Sequence, residues 1–453
     1  KKYILVTHLK LVNFKLMSKF KINKTIKPFY RTLNIEGDKS LSIRWALLAS
    51  QAIGKSYAEN LLKSDDVLNT LNCLKKLGIK IKKKKDKYEI HGLGLNGYKF
   101  KSNIVLDAGN SGTLGRLILG LLIHTNKKLK LIGDKSLSKR DFLRVTKPLE
   151  NFGANLKTNS GKLPITVIGT KNPVPIKYYE TKGSAQCKSA IMLAALNTKG
   201  ETVIKAKKSR DHTELLFKYL KLPIKVYKKK EFDLIKIKGG KTIKPFNYKI
   251  PTDISSCAFF IVLAALGKNS EIKIKNVNIN PSRSGIIKIL NIMGIKINFK
   301  NLKIYKGEKI ADIHVKSVKS IKPIKCPSKL TSSAIDEFLV IFLVAAKAKG
   351  TSYFTNLSEL NQKESPRLKW GYKILREMGI ETEITSNSIK IVGNPNLKIS
   401  KKIVIKKYLK DHRVFMTSVI AALVFGGNWT IYDKDSIKTS FPSFLKIIKD
   451  LRN

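Results

Sequence analysis

Ser255-Ser256-Cys257-Ala258-Phe259-Phe260-Ile261-Val262-Leu263-Ala264-Ala265-Leu266-Gly267 is an apolar run of helix length, and Glu271-Ile272-Lys273-Ile274 behind it alternates like a strand. A polar start, an apolar body and a Gly stop delimit a helix. Because this one is apolar on nearly every side, it must be buried inside a shell of sheets and other helices. The same order recurs at five other places. The copies cover 42–54, Gly112–Leu122, 189–200, 337–350 and 413–427, and the last three run into β-rich stretches at 201–204, 351–354 and 429–432. They are spaced by roughly 70 to 80 residues, too far apart for a solenoid and suited to a small α/β unit.

Between several copies lies a second pattern, an amphipathic helix that ends in Gly and gives way to alternation. Residues 71–78, 287–294 and 375–379 show it, followed by Ile79-Lys80-Ile81, Ile295-Lys296-Ile297 and 380–384. The hydrophobic period switches there from helix to strand, and Gly supplies the left-handed stop. Each unit thus reads strand, helix, strand, helix, strand, strand. Six units predict an α/β protein of two domains with three units each.

Length and composition agree. The chain has 453 residues, 43% of them hydrophobic, enough for two or three domains and too apolar for disorder. No apolar run reaches the ~18 residues of a membrane span, so a soluble, cytoplasmic protein is expected. Cys73, Cys187, Cys257 and Cys326 are far apart and read as core thiols, without zinc or disulfide spacing. Residues 1–16 are basic but lack the pattern of a secretory signal, and read as a leader or an over-extended start.

The net charge is +57, from 89 basic and 32 acidic residues. Lys is spread end to end instead of gathering in a tail or patch, as a nucleic-acid binder would place it. Only eleven of the basic residues are Arg. Where a point charge suffices Lys will do; where a planar fork must grip a carboxylate or phosphate it will not. Arg44, Arg140, Arg144, Arg210, Arg283, Arg367 and Arg413 are therefore singled out.

Several of them stand in motifs. Gly37-Asp38-Lys39-Ser40-Leu41-Ser42-Ile43-Arg44 opens a helix, where free N–H groups attract an anion. Gly109-Asn110-Ser111-Gly112-Thr113 lets backbone approach a ligand closely. Residues 133–140, 183–189 and 209–214 read as three more anion sites at helix starts. Carboxylates come from the other half, as Asp336-Glu337, Lys363-Glu364-Ser365-Pro366-Arg367 and Asp411-His412-Arg413. Read singly, each is compatible with an ordinary helix cap. Together they place cations and acids for acid–base work on an anion.

In chain order the motifs are GDKSLS-x-R, GNSGT, GSAQ-x-KSA, SRDHTE, DISS-x-AFF, NPSRSG, IDE, KES-x-R, DHR and TSFP-x-F. This series, from about residue 35 to 444, resembles the 5-enolpyruvylshikimate-3-phosphate synthase family. The resemblance implies a two-domain inside-out α/β fold, with three βαβαββ units per domain and the site in the cleft. It implies domains of 1–38 plus 252–453 and of 39–251. By the same resemblance Lys39, Ser40, Arg44, Ser184, Ala185, Gln186, Ser209, Arg210, Asp336 and Lys363 contact shikimate 3-phosphate. Lys39, Gly112, Arg140, Gln186, Arg367 and Arg413 contact phosphoenolpyruvate. The implied reaction is carboxyvinyl transfer, with Asp336 taking the hydroxyl proton and Glu364, helped by Lys39, moving the proton at the methylene carbon. No metal or organic cofactor is implied. The expected partners are the two small anions, with no nucleic acid and no membrane, and the chain is expected to be a monomer. Gly112 implies glyphosate sensitivity.

Some positions depart from the family pattern. Pro366 stands for Asp, Asn361 for Arg and Asp141 for Pro, and Thr439, beside Lys438, stands where some members use Lys. The alternatives are a UDP-sugar enolpyruvyltransferase, which uses a reactive Cys in a flexible loop, a basic nucleic-acid-binding protein, and a catalytically dead homologue.

Overall fold

The computed structural model describes residues 18–453, so the reading of 1–16 lies outside the described residues. Its six apolar runs are helices, and they are the best-buried part of the chain. Lys39–Ser50, Gly112–Leu122 and Ala185–Leu196 surround one hydrophobic core. Ile254–Leu266, Phe338–Ala346 and His412–Phe425 surround another. Every residue of Ile254–Leu266 and of Phe338–Ala346 is buried, as their lack of a polar face requires. The first core draws on residues 41–250, and the second on 22–35 and 254–451. We call the residues around them the middle lobe and the terminal lobe.

Six sheets cover these helices, and the four-stranded ones share one pairing scheme. Lys177–Glu180 runs parallel to Glu201–Lys207, with the buried helix Ala185–Leu196 as the crossover that parallel strands need. Phe232–Lys238 and then Ile224–Lys228 follow antiparallel. In Glu201–Lys207 the alternate residues Thr202, Ile204 and Ala206 are buried. The last unit departs from the expected order. It ends in a helix, Phe444–Arg452, and Lys19–Ile22 from the far end of the chain covers the open edge of Gly426–Tyr432.

The chain passes between lobes twice, and the two passages are hydrogen-bonded together. Asp38 N donates to Pro251 O at 2.8 Å, and Gly37 bridges Thr252. A Cβ on Gly37 would lie 2.1 Å from Asn60 O, so only Gly fits there. The passages also exchange strands. Tyr30–Leu33, just before helix Lys39–Ser50, pairs in parallel with Glu271–Asn278 behind helix Ile254–Leu266. Asn247–Lys249, just before helix Ile254–Leu266, pairs in parallel with Ile53–Glu59 behind helix Lys39–Ser50. Both helices therefore start at the junction of the lobes.

Candidate active site

The starts of all six buried helices are tied into one charged network. Asp336, next to the start of Phe338–Ala346, is its hub. Arg210 Nη2 donates to Asp336 Oδ2 at 2.6 Å from the middle lobe. Lys363 Nζ and Arg367 Nη1 each lie 3.2 Å from Asp336 Oδ1. Arg413 Nη1 donates to the Asp336 carbonyl at 2.6 Å and lies 3.5 Å from Glu337.

Arg367 is fully buried and uses its whole fork. Nε donates to Asp411 Oδ2 at 2.8 Å, Nη1 meets Asp336, and Nη2 bonds Glu364. Asp411 also accepts from Ser365 Oγ at 2.9 Å and caps its own helix by accepting from Arg413 N. Glu364 receives a second cation from the other lobe, Arg140, at 3.5 Å. Lys39 Nζ is 2.9 Å from buried Asp66, and Lys39 N donates to Asp253 across the junction at 3.2 Å.

Charge decides the protonation of this set. Burial alone would raise the pKa of Asp336, but Lys363, Arg210, Arg413 and Arg367 hold it well below the carboxylate range. Burial likewise opposes ionisation of Glu364, and Arg367, Arg140 and Lys39 overcome it. Burial and the cations Lys39, Arg367 and Arg413 push the His412 imidazole well down, so it is neutral. Both candidate acid–base carboxyls are thus ionised.

Around Gly112 the cleft is lined by guanidinium groups. A Cβ there would lie 2.8 Å from Arg116 Nη1 and 2.9 Å from Arg140 Nη1. Arg116 Nη1 donates to Gln186 Oε1 at 2.8 Å, and Gln186 Nε2 donates to Thr113 Oγ1 at 3.0 Å.

The network joins Lys39, Gly112, Arg140, Gln186, Arg210, Asp336, Lys363, Glu364, Arg367 and Arg413. Ser209 stands beside Arg210 with a buried hydroxyl that has no partner among the described residues. Ser40 accepts from Arg283 at 3.1 Å. Three residues stand beside the network with bonds of their own, Arg44 among them reaching the Ser40 carbonyl at 3.2 Å. Arg44 points into the middle lobe, donating from Nε to Thr213 at 2.9 Å and from Nη2 to Ser189 at 3.1 Å. Ser184 spends its hydroxyl capping its own helix at Cys187 N, and Ala185 opens that helix.

The expectation of a helix start at 133–140 needs correction. Only a short 3-10 turn, Leu137–Lys139, forms there, and Arg140 follows it in extended conformation. Pro366 immediately precedes helix Arg367–Glu377. Lys438 is paired with exposed Asp435 at 2.9 Å, while Thr439 Oγ1 lies 3.2 Å from His412 Nδ1. Asp141 caps Leu143–Glu150, and its carbonyl accepts from Arg116. Asn361 Oδ1 is buried without a partner among the described residues.

Sequence reading passed over Asp66, Arg116, Asp253 and His412 as site residues. Asp253 and His412 stand inside the DISS-x-AFF and DHR motifs, and Arg116, one of only eleven Arg, lies one turn beyond residues 109–113. Asp66 carried no signal, because Asp65-Asp66 reads as an ordinary acidic helix start.

Paired buried helices opening on one charged interlobe cleft define the class, the enolpyruvyl transferase fold. The enolpyruvyl transferase NikO from Streptomyces tendae shares it at TM-score 0.73 and 14% identity, over 95% of this chain and 96% of that one. An EPSP synthase from Acinetobacter baumannii matches at TM-score 0.84 and 34% identity, over 96% of this chain and 98% of that one. A 3-phosphoshikimate 1-carboxyvinyltransferase of Vesicomyosocius okutanii is 41% identical over 436 residues, 96% of this chain and 98% of that protein. One from Zymomonas mobilis is 37% identical over 436 residues, 95% of this chain and 96% of that protein. The profile of the EPSP synthase (3-phosphoshikimate 1-carboxyvinyltransferase) family matches residues 23–448, and the chain belongs to that family.

Proposed function

We propose that this protein transfers the enolpyruvyl group of phosphoenolpyruvate to the 5-hydroxyl of shikimate 3-phosphate and releases phosphate. The observation that carries this reading is the meeting of Arg140, Arg210, Arg367, Arg413, Lys39 and Lys363 around Asp336 and Glu364. Two anionic substrates need such a set, and the carboxylates hold it ready in their absence.

In the first step the substrate oxygen bonds to C2 of phosphoenolpyruvate. The hydroxyl proton passes to Asp336, and C3 gains a proton through Glu364 with Lys39 assisting. In the second step the C2–O bond to phosphate breaks, the leaving phosphate takes the proton held by Asp336, and C3 gives its proton back to Glu364, which restores the vinyl group. Arg140, Arg367 and Arg413 stabilise the phosphate and carboxylate charge. Substrate binding itself tunes the acid–base pair. Anions that draw Arg210 and Lys363 from Asp336, and Arg140 and Arg367 from Glu364, remove the charges that keep both ionised. Burial remains, so both pKa values climb toward the working range.

Lys39, Ser40, Arg44, Ser184, Ala185, Gln186, Ser209, Arg210, Asp336 and Lys363 form the shikimate 3-phosphate site. Lys39, Gly112, Arg140, Gln186, Arg367 and Arg413 form the phosphoenolpyruvate site. The two lobes act as domains that close on the substrates, 39–251 against 18–38 with 252–453. The protein works as a cytoplasmic monomer without nucleic acid. The UDP-sugar alternative is not favoured, because all four cysteines are buried, and burial pushes Cys73 up to about 12 and Cys326 to about 11.

Phosphate release from the purified chain tests the reading. Release must require both substrates and fall by about a hundredfold or more in Asp336→Asn and Glu364→Gln. Release with a UDP-sugar in place of shikimate 3-phosphate, or none from folded protein, overturns it.

A further inference from the structure

One motif is left without a role, Asn280-Pro281-Ser282-Arg283-Ser284-Gly285. It belongs to the terminal lobe, yet side-chain bonds of Asn280, Ser282 and Arg283 cross to the middle lobe. Arg283 is 2% exposed, and its fork spans the junction. Nη1 donates to Ser40 Oγ at 3.1 Å and lies 3.4 Å from Asp38 Oδ2. Nη2 donates to Asp253 Oδ1 at 2.8 Å and to Ser255 Oγ at 3.1 Å. Asp38 caps helix Lys39–Ser50, and Asp253 caps helix Ile254–Leu266. One guanidinium therefore joins the two interlobe passages and the first turns of both helices.

The other end of the loop grips the segment next to Arg210. Asn280 Nδ2 donates to Asp211 Oδ1 at 2.9 Å, and Ser282 Oγ donates to the same oxygen at 2.8 Å. Asn280 Nδ2 also reaches Glu308 Oε2 at 3.0 Å, and Glu308 Oε1 lies 2.7 Å from His212 Nδ1. All of these groups are buried or half-buried. The loop thus holds Lys39-Ser40 at one end and Arg210-Asp211 at the other, from the opposite lobe.

We propose that this loop sets the spacing between the two shikimate 3-phosphate-gripping segments, with Arg283 as its positioning residue. The inference rests on the proposed function, which puts Ser40 and Arg210 at that substrate. Arg283 spends both terminal nitrogens on Asp38, Ser40, Asp253 and Ser255. Its fork geometry is what matters, because an ammonium at the same place can satisfy one carboxylate but cannot hold Asp38, Ser40, Asp253 and Ser255 together. Burial raises the pKa of Asp38 against the pull of Arg283, while Arg283 and the backbone donors of Lys39 and Ser255 hold Asp253 low.

A simple structural plug would neutralise the two aspartates and do nothing else. The variants Arg283→Lys and Arg283→Gln separate the two roles. Phosphate release and thermal midpoint are measured for each beside the unaltered protein. Positioning predicts that KM for shikimate 3-phosphate rises about tenfold in both variants, while kcat and KM for phosphoenolpyruvate move less than about threefold. It also predicts that Lys recovers the thermal midpoint but not KM. If Lys restores KM with the midpoint, or KM stays within about twofold in both variants, the proposal fails. Should Arg283→Gln not fold, Arg283→Gln with Asp38→Asn removes the unpaired charge and keeps a capping side chain. KM must stay raised in that double variant, and a normal KM overturns the proposal. No release from the unaltered protein would count against the proposed function and not against the loop.

Discussion

Replacing Gly112 by Ala isolates one variable, the position of two guanidinium groups. Gly112 opens helix Gly112–Leu122 in a backbone conformation that any residue can adopt, so the change brings no backbone strain. The added Cβ would stand 2.8 Å from Arg116 Nη1 and 2.9 Å from Arg140 Nη1. Ordinary contact begins near 3.4 Å, so the two tips must retreat by about 0.5–0.6 Å. Both are ends of flexible side chains and can move, but not without losing their aim. A charge-assisted hydrogen bond to an anion is worth about 1.5–3 kcal/mol, so KM for phosphoenolpyruvate should rise about ten- to a hundredfold. KM for shikimate 3-phosphate should rise less, since Arg210 and Lys363 lie outside the disturbance and Gln186, bonded to Arg116, is the contact it reaches. Stability should stay or rise, because Ala is favoured over Gly in a helix by up to about 1 kcal/mol. Glyphosate inhibition should weaken in step with KM for phosphoenolpyruvate. The assay is phosphate release at varied phosphoenolpyruvate, with and without glyphosate, beside a thermal melt. An unchanged KM with equal inhibition of both forms would refute the reasoning.

The same network makes further predictions. Asp336 and Glu364 have depressed pKa values in the folded state. Their contribution to stability is therefore full above the unfolded-state value of about 4 and is lost as pH falls below it. Urea midpoints measured between about pH 3 and pH 7 should show a loss at the acid end that is shallower in Asp336→Asn, and equal slopes would contradict this. Arg367→Lys leaves Asp411 short of its bidentate partner and should cost about 3–5 kcal/mol in a denaturant titration. Pro366→Asp supplies a capping carboxylate that helix Arg367–Glu377 lacks, and should raise stability by about 0.5–2 kcal/mol with activity kept. Because the chain carries +57, kcat/KM should fall as potassium chloride is raised, and a flat salt profile would rule out steering by that field.

What could be read from the sequence follows from what each kind of interaction needs. Helix Ile254–Leu266 announced itself because burial on all sides demands thirteen apolar or small residues in a row. The helix starts were legible because capping is local. Helix ends were less so, and the run read as 413–427 ends as a helix at Phe425. Arg140, Arg210, Arg367 and Arg413 stood out because Lys replaces Arg elsewhere in this chain. The partners of those residues were not legible. Arg210 with Asp336, Arg140 with Glu364 and Lys39 with Asp66 are joined only by the packing of elements distant in sequence, and nothing local marks Asp66 as the partner of Lys39. The region 133–140 misled for the opposite reason. Its Gly-Asp-Lys-Ser start copies that of 37–40, but only a 3-10 turn follows before a cap at Asp141.

The order in which a ribosome delivers these strands has its own consequence. Lys19–Ile22 and Tyr30–Leu33 emerge early, but their partners are Gly426–Tyr432 and Glu271–Asn278. At about 5–20 residues per second, the first of them waits some 20–80 s for a neighbour. The middle lobe, contiguous in sequence, is finished in the interval. Nascent chains of this protein should therefore carry a folded middle lobe and two bare strand edges, whose Lys19, Lys21 and Arg31 work against pairing with another chain.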